Sequence, residues 1–445
     1  MAVETPALAP VARTDLPNGL RVLTVPGGRG SMTVMLFVTA GSRYETRDTA
    51  GVAHMLEHLF WSGTEQRPSA RAISAEIDSL GCRFNAQTEK EWTNYYIQGA
   101  EEFTANAITI IADLIKNAVM PAAEVERERR VVLAELRAAQ DNPRSRMRAL
   151  INTAVYGDTP MGWETGGAPD VIMALRRAAI MEFRTRLYGA GRLILVVAGN
   201  PDHDQHVTLA VESLGDVPPG GSSWEPAPAA RTRPVNLVAH RDIKLCNLCI
   251  ALPGPSYLNS DREMLVARMM NSILGVSMSS RLMSSLRERQ GLCYSIQSFL
   301  DPFTETGSLI AFASTDPRNA GQVVSSIMDE LHGLADQGPT ASEVRKAAAM
   351  TKGTFVLERE DSGSLARFSG FELMHRGNVA TREEKFEVIE SISAQEVTAA
   401  ARRYLSSADV RMAVVGPPGT EDFIAGSGRD FAADWEVVHD RDNAP

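Results

Sequence analysis

Residues 51–60 of the chain read GVAHMLEHLF, an apolar run without proline that carries His54, Glu57 and His58. If this run is a helix, the two histidines are four positions apart and therefore lie one above the other on the same face. Glu57 directly precedes His58 and projects close to the histidine pair. The spacing His-x-x-Glu-His therefore predicts a helix that presents two imidazoles and a carboxylate to one small region.

Zinc suits this arrangement, because it binds neutral imidazole nitrogens at about 2.0–2.1 Å in a tetrahedral site. A catalytic zinc site has three protein ligands and leaves the fourth position to water. The histidines would supply two ligands, and Glu57 is placed to take a proton from the water. Two histidines on a helix can equally be a packed or solvated pair, so a third ligand has to decide between these interpretations.

A helix predicted within residues 121–140 offers that third ligand. Four of its residues share one face on a period of 3.6: Val125, Glu128, Val132 and Glu135. Because the valines mark the side that faces the core, the two carboxylates are predicted to point inward. A carboxylate removed from water needs a counter-charge or a metal. The pattern thus favours Glu128 and Glu135 as neighbours of the histidine pair.

Together these residues resemble the M16 metallopeptidases, a family that includes pitrilysin, insulin-degrading enzyme and the mitochondrial processing peptidase. The resemblance extends beyond the histidine motif and Glu135. Further segments match the family pattern in the same order: residues 41–45 (GSRYE), 60–64 (FWSGT), 85–88 (NAQT) and 91–96 (EWTNYY). The resemblance implies a zinc-dependent endopeptidase, an inverted zincin that hydrolyses peptides or short unfolded protein segments in an enclosed cleft.

Carried over residue by residue, the resemblance assigns His54, His58 and Glu135 as ligands of one zinc ion per chain. It makes Glu57 the general base and Glu128 a carboxylate that supports the ligands.

The substrate is expected to lie as an extended peptide along an edge strand at residues 84–87. Asn85, Ala86 and Trp61 are the substrate-binding residues predicted in this half of the chain. Trp61 stands where the family often has Phe, and Cys82 where a second Gly is usual. Both departures concern specificity rather than the chemistry.

The composition is that of an ordinary globular protein with more than one domain: 445 residues, 44% hydrophobic and 22% charged. The net charge of −10 and the pI near 5.4 argue against nucleic acid or an anionic membrane as a partner. The first 16 residues lack an apolar run of signal length, and 18 consecutive apolar residues occur nowhere. These features predict a cytoplasmic protein.

The four cysteines do not form a dense disulfide framework, which also favours a reducing compartment. Cys246 and Cys249 have the spacing of a zinc knuckle, but a second pair is missing and their segment reads as a strand. His203 and His206 follow a turn in a polar segment. We interpret them as part of a helix cap and solvated surface rather than as metal ligands.

Residues 215–234 are rich in Pro and Gly without periodicity and are predicted to be an interdomain linker. This divides the chain into a catalytic zinc-binding domain, residues 1–214, and a C-terminal domain, residues 235–445. The first domain reads as α+β. Its strands are predicted at 19–25, 33–38, 83–87, 92–98 and 192–200, with helices at the histidine motif, 70–80, 103–114 and 121–140.

The second half repeats features of the first. Residues 265–274 run parallel to 51–60, with Arg268, Asn271 and Ser272 at the positions of the motif residues. Residues 339–344 echo 121–125, but the helix that follows has no counterpart of the two glutamates. We therefore expect two homologous domains, each a mostly antiparallel sheet packed with helices, that form half of a clam-shell.

Residues 286–295 resemble the family segment whose Arg and Tyr, seven positions apart, contact the substrate. Here these are Arg287 and Tyr294, which carry donors suited to a peptide carbonyl or an oxyanion. Because one chain has both this pair and the zinc residues, a homodimer is expected, with a heterodimer containing an M16-like partner subunit as the alternative.

Two other functions remain open from the sequence. The chain could be a subunit that removes leader peptides and needs a partner chain, or a scaffold subunit of the same fold without catalysis. Scaffold relatives usually lose the metal residues, whereas His54, Glu57, His58, Glu128 and Glu135 are all present here.

Overall fold

The computed structural model describes residues 10–27, 30–220, 225–228, 235–426 and 435–438. Of the predicted linker 215–234, residues 221–224 and 229–234 lie outside the described residues.

The helices and strands predicted for the first domain lie close to their expected positions, and the structure adds further elements along the chain. The strands are β1 Ala12–Asp15, β2 Arg21–Pro26, β3 Ser31–Val38, β4 Arg83–Thr88, β5 Thr93–Ala100, β6 Leu193–Gly199, β7 Asn236–His240, β8 Cys246–Pro253, β9 Cys293–Pro302, β10 Gly307–Thr315, β11 Arg411–Gly416 and β12 Trp435–Val437. The helices are α1 Val52–Phe60, α2 Ala70–Ser79, α3 Thr104–Asn117, α4 Ala122–Asp141, α5 Pro143–Tyr156, α6 Pro169–Ala174, α7 Arg177–Leu187, α8 His203–Leu214, α9 Asp261–Asn271, α10 Ala320–Gln337, α11 Ala341–Leu357, α12 Ser362–Arg376, α13 Arg382–Ser391, α14 Ala394–Leu405 and α15 Thr420–Ala425. Two π-helical turns, Ser272–Val276 and Met283–Arg289, follow α9.

Local sequence explains where individual helices begin and end. Ser69 caps α2 by accepting a hydrogen bond from the backbone N–H of Ala72, and Gly81, with φ of +64°, follows its end as predicted. Asn142 caps α5, and Pro143 occupies its first turn, where its missing N–H costs nothing. Strand β1 precedes the first predicted strand and was not predicted.

The chain forms two compact units, and each unit takes its residues from three stretches of sequence. The first contains residues 1–137, 164–227 and 356–380, and the second contains 138–163, 228–355 and 381–445. The predicted domains follow chain order, whereas the compact units do not. The difference arises because α5, from the first half, packs in the second unit, and α12, from the second half, packs in the first.

The sheet of the first unit has the strand order β1-β2-β6-β3-β5-β4. Its pairs are antiparallel except for β2 with β6. Helix α1 and its neighbours cover one face of this sheet with a large apolar core. Helix α12 covers the other face, and its buried Ser362 accepts a hydrogen bond from Ser31 of β3. Because β4 is the last strand in this order, it forms one edge of the sheet, and it lies beside α1.

The second unit repeats this plan. Its sheet has the order β12-β7-β11-β8-β10-β9, with β7 parallel to both β11 and β12 and the remaining pairs antiparallel. One face carries a core with α9, α10 and α14, and α5 packs on the other face. The prediction of two duplicated α+β domains is confirmed. Among the described residues, none of the helices is long and apolar enough to cross a membrane.

Candidate active site

The N-terminus of α1 is fixed by contacts that leave little room for movement. Gly51 precedes the helix with φ of +93°, and a Cβ there would come within 2.5 Å of the carbonyl oxygen of Gly166. The carboxylate of Glu45 accepts hydrogen bonds from the backbone N–H groups of Gly51 and Ala53, both at 2.8 Å. This side chain satisfies backbone donors that the helix itself cannot pair.

Burial of the apolar face of α1 determines which way its polar residues point. The buried residues of the helix are Val52, Ala53, Met55, Leu56, Leu59 and Phe60. His54, Glu57 and His58 lie on the remaining face and are only partly buried. The prediction that one helix face presents all three is confirmed.

Helix α4 brings Glu135 to the two histidines. Its Oε2 lies 3.3 Å from Nε2 of His58 and 3.7 Å from Nε2 of His54. One ligand atom from each of the three residues lies within 4.8 Å of the others. Among the described residues, His54, His58 and Glu135 thus form a group of side chains that could hold a metal ion.

Glu128 lies on the other side of His58. Its Oε2 is 3.3 Å from Nδ1 of His58, the ring nitrogen that faces away from Glu135, and its Oε1 accepts a hydrogen bond of 2.9 Å from Arg127. The hydrogen bond from His58 holds the pKa of Glu128 below its usual value. Burial lowers the pKa of His58. The neighbouring carboxylates of Glu128, Glu135 and Glu57 together have a larger effect in the opposite direction, so the pKa of His58 is raised.

The prediction that Glu128 and Glu135 lie on the buried face of α4 is wrong in detail. The buried stripe of this helix consists of Val125, Arg129, Val132 and Leu136. Glu128 and Glu135 lie to one side of that stripe rather than on it. Glu128 is consequently 12% exposed and Glu135 49% exposed, so Glu135 reaches the histidines from the solvent side of the helix.

Glu57 lies outside the group of three but next to it. Its Oε2 accepts a hydrogen bond of 2.5 Å from the hydroxyl of Thr88, at the end of β4. Burial raises the pKa of Glu57, and the hydrogen bond from Thr88 acts in the opposite direction. The carboxylate of Glu57 therefore has a hydrogen-bond donor in Thr88 and lies beside the group of three.

The electrostatics of the site fit a divalent cation. Burial and then the neighbouring His58 lower the pKa of His54 to about 4, so its imidazole is neutral, which is the form that binds a metal. Three carboxylates surround two imidazoles, and this excess of negative charge favours a bound dication. Nδ1 of His54 is buried without a hydrogen-bond partner among the described residues.

The predicted substrate-binding residues of the first half lie on or beside the edge strand. Asn85 is exposed and Ala86 half-buried on β4, where they pair with Tyr96 and Tyr95 of β5. The indole of Trp61 packs against the ring of Phe84, with centroids 4.6 Å apart and an interplanar angle of 39°. The contact of Asn85, Ala86 and Trp61 with a substrate stays a prediction.

Arg287 and Tyr294 belong to the second unit. Arg287 lies in the second π-helical turn and is exposed, and Tyr294 lies near the start of β9 with 75% of its surface exposed. Their roles in substrate contact likewise stay predictions.

His203 and His206 do not form a solvated surface patch, so that interpretation is wrong for His206. Asp202 caps α8, as the sequence indicates, by accepting from the backbone N–H of Gln205. His206 is fully buried, and its Nδ1 lies 2.9 Å from the hydroxyl of Thr24, which also contacts Nδ1 of His203 at 2.9 Å.

Two residues of the site, Glu45 and Thr88, lie within segments that match the family pattern but have no role predicted from the sequence. The sequence feature that could have indicated the role of Glu45 is its position shortly before a helix whose N-cap residue is a glycine. For Thr88, the signal is a hydroxyl at the end of a strand predicted to lie at the sheet edge.

Comparisons with known proteins agree with this geometry. A family model described as "Insulinase (Peptidase family M16)" matches residues 22–168, and one described as "Peptidase M16 inactive domain" matches residues 174–351. A Mycobacterium leprae protein named an uncharacterized zinc protease is 33% identical over 92% of each chain. The chain belongs to peptidase family M16.

A second relative extends the comparison. A Mycobacterium tuberculosis protein, also named an uncharacterized zinc protease, is 34% identical, with 93% of this chain and 95% of the relative covered. The description of the second family model as inactive agrees with the sequence alignment of the two halves, in which Arg268, Asn271 and Ser272 stand at the positions of His54, Glu57 and His58.

Solved structures share the fold. The crystal structure of a Helicobacter pylori protease has a TM-score of 0.84 at 20% identity and covers 92% of this chain and 100% of its own. A peptidase M16 inactive domain from Pseudomonas fluorescens has a TM-score of 0.81 at 19% identity and covers 92% of this chain and 98% of its own.

Proposed function

We propose that this M16 protein is a zinc-dependent endopeptidase that hydrolyses peptides or short unfolded protein segments. The observation that carries the proposal is the convergence of His54, His58 and Glu135 beside the carboxylate of Glu57. His54, His58 and Glu135 would hold the metal. When bound there, zinc would supply Lewis acidity and would make a water molecule more acidic.

Residues of the chain supply the proton transfer, the orientation of the ligands and the binding of the peptide. Glu57 takes a proton from the attacking water on its carboxylate and later gives it to the amine of the leaving peptide. Glu128 accepts a hydrogen bond from Nδ1 of His58, which fixes the orientation of that ring. The outer edge of β4 offers backbone groups that an extended peptide can pair with.

The second half contributes to the same reaction in this proposal. The hydroxyl of Tyr294 donates to the oxygen on which negative charge develops, and Arg287 holds a peptide carbonyl or carboxylate. Both side chains are exposed and therefore available to a substrate. Because one chain carries both residue sets, we propose a homodimer, which light scattering on the purified chain would test.

Metal analysis and a peptide library test the proposal. The purified chain should contain about one zinc per chain and should cleave peptides within their sequence, as read by mass spectrometry. Glu57→Gln is the matched control, because it should keep the metal and lose the cleavage. A chain that retains no zinc after careful purification and cleaves no peptide would support the scaffold interpretation instead.

A further inference from the structure

A side chain at the end of edge strand β4 contacts the predicted general base. The hydroxyl of Thr88 donates to Oε2 of Glu57 at 2.5 Å, and the backbone N–H of Thr88 also hydrogen-bonds to this carboxylate. Thr88 therefore binds Glu57 through two donors. The resemblance to known proteases gave Thr88 no role.

Thr88 is itself held in place. It is the last residue of β4 and pairs with Thr93, which is fully buried and donates to the carbonyl of Ala40. The next residue, Glu89, donates its N–H to the carbonyl of Trp92 and so closes the hairpin between β4 and β5. A β-branched side chain on such a backbone has few rotamers, which makes its hydroxyl a rigid donor.

The hydrogen bond from Thr88 makes the two carboxylate oxygens of Glu57 inequivalent. Oε2 accepts the hydrogen bond from the Thr88 hydroxyl, so Oε1 is the oxygen better placed to accept a proton from water. A carboxylate without such a partner would rotate, and each rotation would take the accepting oxygen away from the productive position.

We propose that Thr88 is a positioning residue that fixes the carboxylate of Glu57 for proton transfer. The inference rests on the proposed function, because it assumes that Glu57 is the general base. Since Thr88 also ends the strand along which we propose that the peptide lies, it links the strand that would bind substrate to the group that would act on it.

The second unit offers a matched control. Ser298, on edge strand β9, donates its hydroxyl to Oδ1 of Asn271, on α9, at 2.6 Å. Both residues are buried, and the acceptor is a neutral amide in a half that lacks the metal residues. A hydroxyl that joins an edge strand to a helix can thus serve structure alone, and the experiment has to separate this role from positioning.

The experiment compares Thr88→Val, Thr88→Ser and Ser298→Ala in the zinc-loaded full chain. Valine keeps the shape of threonine and removes the hydroxyl, so kcat should fall roughly 10- to 100-fold, the usual loss for a group that orients an active-site residue. KM and zinc content should remain near the wild-type values. Serine restores the donor and should restore most of kcat, and Ser298→Ala should leave kcat unchanged.

Crystal structures of the wild type and Thr88→Val provide a readout that does not depend on activity. The Glu57 carboxylate should occupy one orientation in the wild type and several, or a displaced one, in Thr88→Val. An unchanged Glu57 in Thr88→Val, or equal kcat values for the valine and serine variants, would overturn the positioning role. If the wild type cleaves no peptide, the proposed function fails, while the crystal structures still decide whether Thr88 positions Glu57.

Discussion

The carboxylate of Glu45 lies 2.8 Å from the backbone nitrogen of Ala53, the residue that precedes His54. It is equally close to the nitrogen of Gly51, so one buried side chain satisfies two backbone donors at the start of α1. Glycine at the capping position cannot supply this acceptor itself. The helix that carries the histidines is therefore anchored from a segment outside it.

We expect Glu45→Ala to destabilise the protein and to weaken zinc binding. Truncation leaves two buried N–H groups without an acceptor, at a cost of about 1–3 kcal/mol for each. Glu45→Gln is the control, because its amide oxygen can still accept and should preserve part of this stability. Thermal unfolding and zinc titration of the variants measure both effects. Equal melting temperatures for Glu45→Ala and the wild type would show that Glu45 does not anchor α1.

Glu57→Gln should abolish hydrolysis while zinc content stays near that of the wild type. The amide keeps the size of the side chain but cannot take a proton from water, and general base catalysis typically contributes about 10²–10⁴-fold. Steady-state rates and metal analysis of the same preparation test this prediction. If the variant loses its metal, Glu57 is a ligand and its assignment as the base is wrong.

Glu135→Gln should lower zinc affinity more than Glu128→Gln. Glu135 faces Nε2 of both histidines, whereas Glu128 contacts one of the two, His58, at Nδ1. Loss of a group that orients a ligand typically costs about 10–100-fold in metal affinity or activity, and loss of a ligand should cost more. Competition titrations with a zinc chelator give the order, and the reverse order would exchange the two roles.

The sequence was sufficient to predict helix α1 and the face that carries its histidines, because the signals for both are local. The period of α1 puts His54, Glu57 and His58 on one face, and the apolar residues between them bury the opposite face. Helix α4 was harder to predict. Its valines mark the core correctly, but Arg129 also lies on the buried stripe, so a pattern based on apolar residues places Glu135 too far inward.

Other features depend on residues far apart in the sequence. Helices α5 and α12 each pack in the unit formed mainly by the other half, and chain order alone gives no sign of this exchange. His206 reads as surface because its neighbours in sequence are polar. It is buried because Thr24, on a distant strand, provides a partner for its Nδ1.

Burial of His206 should make the stability of the protein depend on pH. Burial lowers the pKa of His206 from 6.5 to about 4. Between these values the unfolded chain binds a proton that the folded chain does not, so stability should fall as the pH falls from 6.5 to 4. The loss should reach roughly 1–3 kcal/mol, whereas above pH 7 this histidine should have no effect.

Unfolding free energies at pH 7 and pH 5 test this dependence. His206→Gln removes the titrating group, so the difference between the two pH values should be smaller than in the wild type, whatever the variant's stability at pH 7. The prediction is wrong if both proteins lose the same stability between pH 7 and pH 5.

Tyr294→Phe and Arg287→Ala should separate the two roles proposed for the second half. Tyr294→Phe removes only a hydroxyl from an exposed side chain, so folding should not change. Loss of one donor to a developing oxyanion typically costs about 10²–10³ in kcat, and zinc content should remain unchanged. Arg287→Ala should mainly raise KM, because a guanidinium that holds the peptide acts in the ground state as well as the transition state.

Arg289→Ala is the matched control for Arg287→Ala. Arg289 lies in the same π-helical turn with its side chain 69% exposed, and it carries the same charge, so a general electrostatic effect would appear in both variants. Steady-state kinetics on one well-cleaved peptide compare the three. If both Tyr294→Phe and Arg287→Ala have wild-type kinetics, the second half takes no part in the chemistry. The residues of α1, α4 and β4 would then account for catalysis.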